Sequence, residues 1–151
     1  MTRSFLFLAP LLAIGCATPT SGDYLFEEVS TTTDCPEVED TGAEEGEAEP
    51  VEVTVNDDKT TVTFSEIEFP LEGTSFEGEI ANIVTDYNET ASLDAITTYT
   101  ADLAGQWVSS SKITVTTTVD FTCEGEYCTD LEDAGQTFCS ATVEMEGTLE
   151  E

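Results

Sequence analysis

From Val51 onward, apolar and polar residues alternate one for one. Val51, Val53 and Val55 are separated by Glu52 and Thr54, the period of a strand with one buried and one wet face. Asn56-Asp57-Asp58-Lys59 is a cluster of turn residues, and Val62 and Phe64 resume on alternate positions, so this segment predicts a hairpin. After Phe64 the apolar parity moves to Ile67 and Phe69. A bulge in a continuing strand accounts for that shift, and Pro70, which lacks an N–H, limits pairing beyond it. Phe76, Gly78 and Ile80 alternate with Ser75, Glu77 and Glu79 in a further strand. Residues 81–91 have no clear period and read as a short helix or loop.

The longest alternations follow. Leu93, Ala95, Tyr99, Ala101, Leu103, Gly105 and Trp107 share one parity, and Ser109-Ser110-Ser111 reads as a turn. Ile113, Val115, Val119, Phe121 and Cys123 then share a face, with Thr114, Thr116, Thr118, Asp120 and Thr122 on the other. β-Branched threonine suits the solvated face of a strand. A last strand turns Cys139, Ala141, Val143 and Met145 inward and Ser140, Thr142, Glu144 and Glu146 outward. With Tyr24–Ser30 added, seven or eight strands are expected and no long helical period competes. The fold class is therefore all-β and antiparallel, wet on one side. An up-and-down, lipocalin-like barrel is expected because closure removes sheet edges; a β-sandwich is the alternative.

The N-terminus has a different pattern. Arg3 precedes an apolar run from Phe5 to Ile14, too short for the roughly 20 residues of a spanning helix, and its flanks are those of an export signal. Leu11-Leu12-Ala13-Ile14-Gly15-Cys16 resembles the signal peptide and lipobox of bacterial lipoproteins. In that family the cysteine carries a diacylglycerol and becomes the acylated N-terminus. The resemblance implies lipidation at Cys16, and Ala17 in place of aspartate implies the outer membrane. The expected organisation is a signal peptide over 1–15, a tether over 16–23 and a single β domain over 24–151. Residues 17–23 would reach at most about 25 Å. Within the domain, residues 36–50 are acidic and of low complexity, which predicts a flexible loop.

Charge restricts the partners. The chain carries 33 acidic residues against three basic ones, and loss of Arg3 with the signal leaves Lys59 and Lys112. Such a surface repels nucleic acid and anionic headgroups and attracts divalent cations or basic partners. There is no histidine, which removes the commonest general base and metal ligand. No cofactor motif is present.

Five cysteines are an odd number for an exported protein. Lipidation of Cys16 leaves Cys35, Cys123, Cys128 and Cys139, an even set expected to form disulfides in an oxidising compartment. Three pairings are open. Cys123 and Cys139 point inward at facing ends of adjacent strands, which favours a bridge between them and leaves Cys35 for Cys128. Four residues between Cys123 and Cys128 do not suit a zinc site.

Other chemical signals are weak. Ser109-Ser110-Ser111-Lys112 matches the Ser-x-x-Lys signature of penicillin-binding proteins, but its supporting elements are missing and the run lies in a β-turn. Among 33 acids some pair is always close, so carboxylate pairs carry no information about glycosidase chemistry. Asn56-Asp57-Asp58, and Asp130 with Glu132 and Asp133, offer oxygens for calcium but do not fit an EF-hand loop. Inward Tyr99 and Trp107 are the candidates for lining a ligand cavity, with core packing as the competing role.

The segment Leu93–Cys123, followed by Cys128, Cys139 and a final alternating strand, resembles a recurrent C-terminal pattern in small lipoproteins of myxobacteria and their relatives. The long acidic loop departs from ordinary lipocalin-like barrels. The expected protein is a non-catalytic envelope lipoprotein of structural or interaction type. A small-ligand binder and a cation-binding surface protein are the alternatives.

Overall fold

Eight antiparallel strands close into an up-and-down barrel in sequence order, with the last strand returning to pair with the first. The computed structural model describes residues 17–35 and 50–150. The strands are β1 (Gly22–Thr33), β2 (Val51–Val55), β3 (Thr61–Phe64), β4 (Ile67–Glu72), β5 (Ser75–Asp86), β6 (Ile96–Ser109), β7 (Lys112–Glu124) and β8 (Cys139–Leu149). Two short helices interrupt them, α1 (Tyr87–Ala91) after β5 and α2 (Cys128–Asp133) after β7. The barrel expectation holds, and the sandwich does not.

The strands are of two lengths, and this sets the shape of the molecule. β2, β3 and β4 have 5, 4 and 6 residues, whereas β1, β5, β6, β7 and β8 have 11 to 14. Closure rests on short ladders: β2 pairs with β1 only at Gly22–Tyr24, and β4 pairs with β5 only through Leu71–Phe76 and Glu72–Ser75. Beyond these ladders the five long strands continue as a curved sheet in the order β5-β6-β7-β8-β1. The molecule thus has a closed half with eight strands around an interior and an open half with five.

The closed half holds the main core. Tyr24, Val53, Val62, Phe64, Phe69, Leu71, Phe76, Leu103, Trp107, Ile113 and Val115 form one buried cluster, contributed by seven of the eight strands; Met145 of β8 packs against it. Their alternation with exposed neighbours follows from the strand period. Gly105 faces this interior, and a Cβ there would collide with the Phe76 ring, so glycine is what lets that ring lie across β6. Phe76 in turn packs against Trp107, Phe64 and Phe69 with centroid separations of 5.7, 6.2 and 5.7 Å.

Four sequence expectations need correction. The parity change after Phe64 is a tight reversal and not a bulge. Ser65 and Glu66 both take positive φ, 48° and 71°, and Phe64 pairs directly with Ile67. That is the backbone of a two-residue type I′ hairpin. Residues 81–86 continue β5, with α1 only after Asp86. The strand expected from Leu93 starts at Ile96, because Leu93–Ala95 hydrogen-bond around the end of α1. The strand expected to start at Tyr24 after a tether over 16–23 begins at Gly22, and Ala17 packs against the core. The signal peptide, Cys16 and residues 36–49 of the acidic loop lie outside the described residues.

Candidate interaction surface

Two ends of the barrel offer different chemistry. At the closed end the interior is filled. Trp107 is 1% exposed and Tyr24 fully buried. The indole N–H of Trp107 donates to the Tyr24 hydroxyl at 3.1 Å, and that hydroxyl donates to the Thr20 carbonyl at 2.9 Å. Burial raises the Tyr24 pKa above its ordinary 10.0, partly opposed by the bond from Trp107. Next to it, Ser21 Oγ accepts from the Val55 N–H at 2.8 Å and donates to the Val55 carbonyl. Residues 17–21 are therefore fixed against the closed end by packing and by side-chain bonds. Trp107 is a core residue with its polar atom satisfied, as a buried indole requires.

Tyr99 sits elsewhere. It lies eight residues from Trp107 along β6, about 26 Å of strand, and is half-buried on the inner face of the open half. Its ring meets Phe121 edge-on at 6.4 Å, and Phe121 meets Phe138 at 4.9 Å. The two proposed ligand residues thus do not share a cavity. Ala95, Thr97 and Leu131 are buried at this upper end, where the β7–β8 connection folds back. There Tyr127 N–H donates to the Asp94 carbonyl at 3.0 Å and Glu126 N–H to the Asp94 carboxylate at 3.1 Å.

Both disulfides lie at the open end, and their pairing differs from the expected one. Cys35 bonds Cys139, and Cys123 bonds Cys128. The register explains this. Cys139 stands opposite Phe121, so Cys123 is offset by two residues and is not its partner. β1 runs on to Thr33, opposite Ala141, which brings Cys35 beside Cys139 with Cα atoms 4.9 Å apart. Cys128 opens α2, which returns beside the end of β7. Among the described residues, Asp34, Cys35 and Cys139 form the one cluster with three metal-ligand types in reach. Both its thiols are consumed in the disulfide, and the Asp34 carboxylate accepts the Ser140 N–H at 2.5 Å.

The remaining candidates fall to local structure. Asn56 Oδ1 accepts from the Thr60 and Thr61 N–H groups at 2.9 and 3.0 Å, and Asp58 Oδ1 accepts from Thr60. The Thr60 hydroxyl and N–H, both donating to Asp58, hold its pKa below the ordinary 3.8. Together these bonds explain the cluster as a hairpin turn. Asp130, Glu132 and Asp133 lie on or at the end of α2 and are exposed. Lys112 of the serine run lies outside any helix and pairs with Glu146, the only ion pair among the described residues. No helix among the described residues is long and apolar enough to cross a membrane.

What distinguishes the open half is its edges. β5 beyond Phe76 and β1 beyond Tyr24 have no second strand neighbour among the described residues. Sequence reasoning missed both, because the tail of β1 (Ser30-Thr31-Thr32-Thr33) and that of β5 (Ala81–Thr85) show no apolar alternation. Ile83 and Val84, on opposite faces of β5, are 59% and 61% exposed. Below them, Glu79 stands directly across from Asp102, and Glu77 and Asp102 line a shallow outer groove of about 460 Å³ over β5–β7. Like charges in direct cross-strand pairing are unfavourable. No protein-family model, curated protein or solved structure matches this chain.

Proposed function

We propose that the protein is a cell-envelope lipoprotein, anchored through a lipid on Cys16, that serves as a non-catalytic interaction scaffold. The observation that carries this reading is the docking of Ala17, Thr20 and Ser21 on the closed end. A lipid on the residue before Ala17 rests this end of the barrel on the bilayer. The strands of the open half then point away from the membrane. At about 3.3 Å per residue, β6 alone runs about 46 Å along its own axis. Ala17 behind the lipidated cysteine directs the protein to the outer membrane. The acidic surface favours basic partners over nucleic acid or bare anionic headgroups.

A small ligand in the barrel interior would displace Trp107, Tyr24, Phe64 and Phe76 from a packed core, so the scaffold reading takes precedence. The experiment is metabolic labelling with an alkyne fatty acid in the native host, followed by fractionation. Label on the processed protein, and its loss together with membrane association in C16A, is the expected result. An unlabelled protein in the soluble envelope fraction overturns the anchor.

A further inference from the structure

We infer that the edge of β5 over Ala81–Thr85, which has no second strand neighbour among the described residues, is a strand-addition site for an extended peptide that is uncharged in its middle and basic at both ends. The inference deepens the scaffold reading by naming the class of partner; it does not depend on the lipid.

The edge is suited to accept a strand. Ile80 sits at a bulge between Glu79 and Ala81; above it, Ala81–Asp86 pair without a break to Ala101–Ile96 of β6. The other side of Ala81–Thr85 has no strand partner among the described residues. An extended chain laid there would continue the sheet through main-chain bonds, with side chains alternating between the two faces. On the inner face it would lie beside Ile83 and, one strand further in, Tyr99; on the outer face beside Val84. Edges are usually protected by lysine, proline or inward charge. None of these occurs in Ile80-Ala81-Asn82-Ile83-Val84-Thr85.

Charge selects the occupant. In a chain with 33 acids these six residues carry none, yet Glu77 and Glu79 precede them and Asp86 and Glu89 follow. A second copy pairing antiparallel through this run, centred between Asn82 and Ile83, would set each Glu79 against the other copy's Asp86. That arrangement adds two like-charge pairs to the repulsion between two highly acidic bodies. A strand with lysine or arginine at both ends meets carboxylates at both ends instead. It also relieves the Glu79–Asp102 pair beside the lower end.

The test uses the processed protein, extracted from the envelope in mild detergent, and a labelled peptide Lys-Lys-Val-Thr-Val-Thr-Val-Thr-Lys-Lys. Variants replace the four lysines by serine or glutamate, or place proline in the centre. Fluorescence anisotropy at low salt should rank lysine above serine above glutamate, with at least about tenfold between the first two, and proline should weaken binding by at least about tenfold through the lost main-chain bond. Hydrogen exchange should show new protection confined to Ala81–Thr85. The pair E79K and D86N should bring lysine- and serine-flanked peptides to within about threefold; asparagine keeps the cap that Asp86 gives α1.

Binding that ignores the proline is mere charge attraction and overturns the inference, as does protection elsewhere. Protection without peptide of the Ala81–Thr85 amides that do not bond to β6 also overturns it, in favour of a second copy if light scattering shows a dimer, and of the chain's own segments if it shows a monomer. Failure here leaves fatty-acid labelling intact, and failure of labelling leaves peptide binding intact, so the two readings fall separately.

Discussion

The two halves of this barrel share five strands and are held by different means. In the closed half, inward positions are aromatic or branched aliphatic and pack into one cluster around Phe76 and Trp107. In the open half many inward positions of those strands are small (Thr97, Ala101, Val119, Ala141 and Thr33), the larger Tyr99 and Phe121 meet in a local cluster with Phe138, and two disulfides hold the end. Apolar burial contributes about 25 cal/mol per Å² and needs a partner surface. Where β2, β3 and β4 stop, that surface stops with them, and covalent links replace it. The chain therefore separates a filled base from a sheet whose β1 and β5 edges have no second strand neighbour among the described residues.

This contrast predicts where damage is felt. The largest effect is expected from C35S with C139S, which opens a loop with a sequence separation of 104. Chain entropy assigns such a bond about 4–5 kcal/mol, against about 2 for the five-residue separation of Cys123 and Cys128. Urea titration of both double variants measures the difference; equal losses would show that the long bond does not hold β1 to β8. Next, W107A should cost about 3–5 kcal/mol, and Y99A in the open half about 1–2. Near-equal losses would mean that the open half is packed as the base is.

A smaller effect, about 1–3 kcal/mol, is expected from Y24F, which strands the buried Trp107 N–H and frees Thr20. It has a pH signature. Folding raises the Tyr24 pKa, so the unfolded chain loses its proton first as pH climbs past 10.0. Stability is therefore unaffected by this group below that pH and declines above it, through the folded value. Melting temperatures between pH 8 and 11 should fall less steeply in Y24F than in the parent. Parallel slopes would exclude Tyr24 from the alkaline limb.

The sequence was legible where burial is one-sided. Val51, Val53, Leu103, Trp107, Ile113 and Val115 announce both their strands and their inward faces, and the barrel follows from seven or eight such segments. Legibility failed where the burial signal is absent. Ser30-Thr31-Thr32-Thr33 and Ala81–Thr85 extend β1 and β5 into regions without a core behind them, so no alternation marks them. Ser65-Glu66 forms a tight turn without the glycine or asparagine that usually signals it. The cysteine pairing failed for a related reason: inward parity was readable at Cys123 and Cys139, but a two-residue offset in register is invisible to parity. The candidate surface was half legible, its acids by count and its edges not at all.

The pairing of β1 with β8 sets an order of events in folding. Tyr24 finds Leu149 across nearly the whole chain, whereas β2 to β8 join neighbours through short connections. Loop entropy places the local hairpins first and the seam last. Cys123 and Cys128, five residues apart, come together early, while Cys35 meets Cys139 only when the first and last strands zip. A chain emerging N-terminus first can pair β1 with β2 only at Gly22–Tyr24, and the rest of β1 waits until β8 has been made. The Cys35–Cys139 bond thus records completion of the barrel, and its free thiols mark molecules whose seam has not closed.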